Sequence, residues 1–173
     1  MILQDLLKLN ASRKNIDQII EIACNDTNFL DELWHTFISR KNPESKRAAW
    51  AIDLMNESHK IKLTEGQIVE LIENLPHFSN DALKRHSLRI IDNYILLPHI
   101  IGPLTAICFN WLESPKEAVA VKLYSINILT KITEIEKDLK RELIDIIEIQ
   151  MDEATPGFKN IGLKTITKLR KSL

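Results

Sequence analysis

The run Lys46-Arg47-Ala48-Ala49-Trp50-Ala51-Ile52-Asp53-Leu54 decides how the rest of this chain is read. It follows Asn42-Pro43 and joins a basic pair to small and aliphatic residues, which reads as the opening turns of a helix. Two comparable starts lie downstream, at Ser114-Pro115 and Thr155-Pro156. Asn, Ser or Thr before Pro can satisfy a free amide and preset φ at a helix start. Thr64 with Gln67 and Ser114 with Glu117 also fit capping boxes, and Asn80-Asp81 marks a further start. Between these signals apolar residues recur at three and four: Leu30, Leu33, Trp34, Phe37 and Ile38, then Ile68, Leu71, Ile72 and Leu75, then Leu139, Leu143, Ile146 and Ile147.

Helices are therefore expected over about 2–9, 13–25, 28–40, 43–59, 64–76, 80–96, 99–113, 115–133, 137–153 and 156–172. Short connections make consecutive helices antiparallel neighbours. First members of pairs begin near 28, 64, 99 and 137 and second members near 43, 80, 115 and 156, a period of about 37 residues.

Composition agrees. The chain has 173 residues, enough for one domain over 1–173, with 23 basic and 24 acidic side chains, a net charge of −1 and 45% hydrophobic residues. Four glycines and three valines leave β-strands without filler and hairpins without turns, whereas Leu and Ile exceed a quarter of the chain. The near-neutral total excludes a histone-like binder, and no run of 18 apolar residues is available to span a membrane. The N-terminal residues lack a basic region followed by a long apolar core, so a cytoplasmic protein is expected. Cys24 and Cys108 lie in apolar helical runs and read as reduced core thiols.

The second helices share more than spacing: Arg47, Arg85, Lys122 and Lys159 stand at intervals of 38, 37 and 37. With the run at 46–54, this regularity resembles HEAT repeats, in which a basic residue recurs near the start of the second helix. The resemblance implies an all-α fold, a right-handed α-α superhelix (HEAT-like solenoid) of about five antiparallel helix pairs, whose second helices line a concave face. The acidic partner of that family is absent six residues earlier, where Lys41, Ser79 and Lys116 stand. The stretches Ser114-Pro115-Lys116-Glu117-Ala118-Val119-Ala120-Val121-Lys122 and Gly157-Phe158-Lys159 are also similar to short bacterial proteins automatically named adenylosuccinate lyase. True lyases carry a Ser-Ser-x-Met-Pro-x-Lys-x-Asn loop, which this sequence does not contain, so the label reads as an erroneous transfer.

The basic row admits two readings. It can form an electropositive groove for an acidic partner, with Lys46, Lys84, Arg89, Trp50 and Tyr124 beside it. It can equally form a structural ladder, each stem lying on the next repeat and each head bonding a neighbouring carbonyl or Asp. Trp34 and Trp111 are expected in the core, whereas Trp50 is the candidate anchor because Arg47 lies one turn away. After Glu153 the chain carries Lys159, Lys164, Lys168, Arg170 and Lys171 without an acid, which suits a capped terminal repeat or a phosphate anchor. Five scattered histidines form no metal-ligand pair. Asp145, Glu148, Asp152 and Glu153 read as a solvated face opposite Ile146, Ile147 and Ile149. No nucleophile elbow or Gly-rich phosphate loop occurs, so neither catalysis nor a cofactor is expected. The sequence thus predicts a non-catalytic binding module for a protein partner. Its candidate contacts are Arg47, Trp50, Arg85, Arg89, Lys122 and Lys159, with nucleic acid a disfavoured alternative and no membrane role.

Overall fold

The computed structural model describes residues 3–172, so the expected first-helix start at residue 2 lies outside the described residues. Ten α-helices occur there: α1 (Leu3–Lys8), α2 (Arg13–Asn25), α3 (Thr27–Ile38), α4 (Glu44–Glu57), α5 (Glu65–Asn74), α6 (Asp81–Asp92), α7 (Pro98–Glu113), α8 (Val119–Ile135), α9 (Leu139–Gln150) and α10 (Pro156–Arg170). A 3₁₀ turn at Leu75–His77 follows α5, and no strand occurs among the described residues.

Side-chain caps set several of these starts. Thr64 and Gln67 form the reciprocal box, Thr155 Oγ1 accepts from Phe158 N, and Asn80 Oδ1 accepts from Ala82 N. Ser12 and Asp26 cap α2 and α3 in the same way. Two expected starts shift. The Asn42–Pro43 peptide is cis, and α4 begins at Glu44 with no side-chain cap. Nor does Ser114 open α8. Its carbonyl accepts from Glu117 N at 3.4 Å and its hydroxyl from Lys116 N at 3.3 Å, which closes a turn before the helix starts at Val119. Proline suits the second position of such a turn as well as the first of a helix, so the same dipeptide serves a different end.

At the end of α4, His59 takes φ 55°, with Lys60 N bonded to Met55 O at 2.8 Å and His59 N to Asn56 O at 3.1 Å. This double bond pattern at a left-handed residue closes a helix C-terminus, a place where glycine is usual.

The chain divides into two compact units, Met1–Asn93 and Tyr94–Leu173. In the first, α4 is central and touches α1, α2, α3 and α6. Ala48, Ala49 and Ala51 are fully buried, so their lack of bulk lets these neighbours approach. Phe37 stacks on Phe78 with ring centroids 6.0 Å apart and meets Trp34 edge-on at 5.6 Å. In the second unit, α8 is central and touches α7, α9 and α10 around Val121, Ile126, Ile128 and Leu129.

Cys108 is buried among these residues, whereas Cys24 is exposed, which corrects its reading as a core thiol. Cys24 lies one step past Ala23 on α2, off the buried stripe of Ile16, Ile19, Ile20 and Ala23.

Close approach also fixes α10 against α9. A Cβ at Gly162 would stand 2.9 Å from Ile147 Cγ2 and 3.0 Å from Met151 Sδ. Alanine gains about 1 kcal/mol of helix propensity over glycine, but forcing apart a packed pair costs about 1–3 kcal/mol. Because Ile147 is fully buried and cannot swing aside, Gly162→Ala is expected to destabilise the protein by about 1–2 kcal/mol. Urea unfolding measures this, and a more stable variant would show that α9 yields freely.

Candidate functional site

Polar side chains bridge helices about one repeat apart within each unit. In the first, Arg47 Nη1 donates to Leu7 O, crossing from α4 to α1. Trp34 Nε1 donates to Glu70 Oε2 at 2.7 Å, crossing from α3 to α5. Between α4 and α6, Asp53 Oδ2 takes His86 Nδ1 at 2.7 Å and Arg89 Nη1 at 3.3 Å. Arg89 Nη2 reaches Glu57 Oε2 at 2.9 Å as well.

Asp53 and His86 are the buried members of this network, and their pairing has a definite polarity. Arg85 Nη2 stands 3.4 Å from His86 Nε2, and a guanidinium can only donate. His86 Nε2 is therefore the accepting nitrogen, and Nδ1 carries its proton toward Asp53. Asp53 Oδ1 accepts no hydrogen bond among the described residues, so the carboxylate depends on its other oxygen.

The second unit builds its bridge from neutral and cationic groups. Lys122 Nζ donates to Gln150 Oε1 at 2.6 Å, and Gln150 Nε2 donates to Leu112 O at 3.0 Å, which ties α8, α9 and α7 together. Partial burial lowers the Lys122 ammonium below its ordinary 10.5, and the charge of Glu117 acts in the opposite sense. A cleft beside it is lined by Pro115, Glu117, Lys122, Gln150, Thr155 and Phe158. Lys159 is exposed and donates to Asp152 O at 3.0 Å, in the link before α10. On the opposite edge of α9, buried Lys140 donates to Ser172 O at 2.8 Å and to its hydroxyl at 3.0 Å.

Every member of the basic row thus touches a neighbouring polar group, while the six candidate contacts fall into two sets. Arg47, Trp50, Arg85 and Arg89 belong to the first unit, Lys122 and Lys159 to the second. Six residues after Arg47 stands Asp53, which pairs with His86 and Arg89 rather than with a member of the row. Trp34 and Trp111 are buried, while Trp50 is only half-buried on α4.

Three features escaped the sequence reading. The Asp53–His86 pair joins residues 33 positions apart and follows no local motif. Lys140 is buried, and nothing in its local spacing announces the bonds it makes to Ser172. Ile149 was placed opposite the acids, yet it is 82% exposed, on the Asp145 side of α9 and in one cleft with Asp152 and Glu153. Apolar residues at 146, 147 and 149 span too wide an arc for all to face the core.

Among the described residues, no group of three or more His, Cys, Asp or Glu side chains could hold a metal ion, and no helix is long and apolar enough to cross a membrane. A search of curated proteins and a search of solved structures each return no match. A family model described as the HEAT repeat domain matches residues 3–169, nearly the whole sequence. The match is to a repeat family and brings no lyase with it. With the helices of each unit packed on one another and bridged by polar groups about one repeat apart, the chain belongs to the HEAT repeat domain family.

Proposed function

We propose that this chain is a non-catalytic, cytoplasmic binding module that captures a protein partner on its second-helix faces. Arg47, Trp50, Arg85 and Arg89 contribute from the first unit, and Lys122 and Lys159 from the second. The observation that carries this reading is the placement of Trp50. It alone of the three tryptophans is left half-buried, and it stands one turn from Arg47 and one turn from Asp53 on α4. The contacts of Asp53 with His86 and Arg89 bring α6 alongside. Tryptophan and arginine supply much of the energy of protein interfaces, and an indole beside guanidinium groups can grip a partner through both area and charge.

The test avoids residues whose heads hold a neighbouring helix. Arg47 and Lys122 are left intact, and Trp50→Ala with Arg85→Gln, which keeps a donor for His86, is compared with the wild type in affinity capture from native extract, identified by mass. A partner retained by the wild type and reduced at least ten-fold by the variant, with helicity and melting temperature nearly unchanged, is the expected result. Equal capture by both proteins would remove this face from the interaction. Binding of labelled duplex DNA that weakens steeply between low and moderate salt would point to a phosphate ligand instead.

A further inference from the structure

Two outward faces of the second unit carry opposite charge, each around an exposed aliphatic side chain. On α9, Ile149 is 82% exposed, with Glu142 and Asp145 at i−7 and i−4 on the same helix and Asp152 and Glu153 in the turn that follows it. Helical spacing sets Glu142 and Asp145 on the Ile149 side of α9, and Asp152 and Glu153 line one cleft with Ile149. All four are exposed, and none of their carboxylates has an ionic partner among the described residues. On α10, Leu163 is 61% exposed and stands between two shallow grooves. One groove is floored by Met151 and Ile166, and the other is edged by Lys164 and Lys171. Lys164 and Lys171 likewise make no side-chain bond among the described residues, whereas Lys168 and Arg170 are held by Glu134 and Glu148.

We infer that these faces are the two halves of one interface, and that two copies of this chain associate by seating the acidic α9 face of one against the basic α10 face of the other. Charge complementarity selects the occupant. A phosphate backbone would meet Lys164 and Lys171 but leave Leu163 and its grooves unfilled. A membrane surface would find a single aliphatic side chain, far less than an interfacial helix buries. The α9 face offers what the α10 face lacks, carboxylates at one-turn spacing and an aliphatic side chain to pack beside Leu163. The surrounding charges also fix which face meets which, since like faces repel.

Sedimentation velocity of the purified chain, from 1 to 200 μM in 25 mM and 500 mM NaCl, tests the proposal. Concentration-dependent association at low salt, weakened at least ten-fold at high salt, is expected. Reversing one face by Lys164→Glu with Lys171→Glu, or the other by Asp145→Lys with Glu153→Lys, is expected to give monomers with wild-type circular dichroism. Mixing the two variants restores association, because each then presents the charge the other needs. Leu163→Ser, which alters no charge, is expected to weaken self-association at least ten-fold. A wild type that stays monomeric at 200 μM in low salt overturns the proposal. So does association that both reversals leave intact, or a mixture that remains monomeric.

Discussion

His86→Ala is expected to lower the unfolding free energy by about 3–5 kcal/mol, because it strips a buried carboxylate of its closest hydrogen-bond donor and removes a buried ring. The imidazole is the closest contact of the Asp53 carboxylate, at 2.7 Å, and both side chains are almost completely buried. Without it, Oδ2 keeps only Arg89 at 3.3 Å, and Oδ1 has no hydrogen bond to compensate. The vacated ring space adds a cavity between α4 and α6.

Asp53→Ala is expected to cost less, about 1–3 kcal/mol, because it orphans a neutral N–H rather than a charge, while Arg89 retains Glu57. The double variant should then fall well short of the sum, with a coupling of about 1–3 kcal/mol. Urea unfolding followed by tryptophan fluorescence in a Trp111→Phe background reads this unit through Trp34 and Trp50. A His86→Ala cost below about 1 kcal/mol, or strict additivity, would show that the pair does not hold α4 to α6.

The same pair shows where sequence reading stops. Helix starts were legible wherever one residue settles its own neighbourhood: Thr155 with Pro156, Thr64 with Gln67 and Asn80 each cap the helix they announce. The repeat length was legible because each bridge must span it, and the side-chain contacts duly join residues 33 to 40 apart in the first unit. What the bridges are made of was not legible. Arg47 could be assigned to a ladder or a groove from its spacing, but that its acceptor is the carbonyl of Leu7 depends on where α1 ends. His86 offered no metal or catalytic spacing, and its role comes from a residue one repeat earlier. Ser114-Pro115 fits a turn and a helix start equally well, and only the placement of α8 decides between them. The close approach at Gly162 depends on Ile147 of α9 and on Met151 just past its end, neither of which its own neighbourhood in the sequence reveals.

Raising the pH above 9 is expected to destabilise the second unit through Cys108. Burial pushes this thiol from its ordinary 9.0 up to about 12, and a hydrogen bond with Ser125 opposes the rise. Between those values the unfolded chain releases the proton while the folded chain keeps it, so the native state is the one that binds more protons. Its stability is therefore complete below pH 9 and falls by about 1.4 kcal/mol per pH unit as the pH rises toward 12. At pH 10.5 the loss from this group amounts to about 2 kcal/mol. Other groups titrate in the same range, and Cys108→Ala separates them. At pH 7 that variant is expected to be less stable than the wild type by about 1 kcal/mol, for the lost sulfur and the small void it leaves. By pH 10.5 the order should reverse, since the variant has no thiol to ionise on unfolding. Urea unfolding of both proteins at the two pH values measures the crossing. A gap that stays constant would mean that the thiolate is tolerated inside, by an opening between α7 and α8 that admits water. Thiol labelling at pH 8 supplies an independent reading: exposed Cys24 should react at once, and Cys108 only as fast as the unit unfolds.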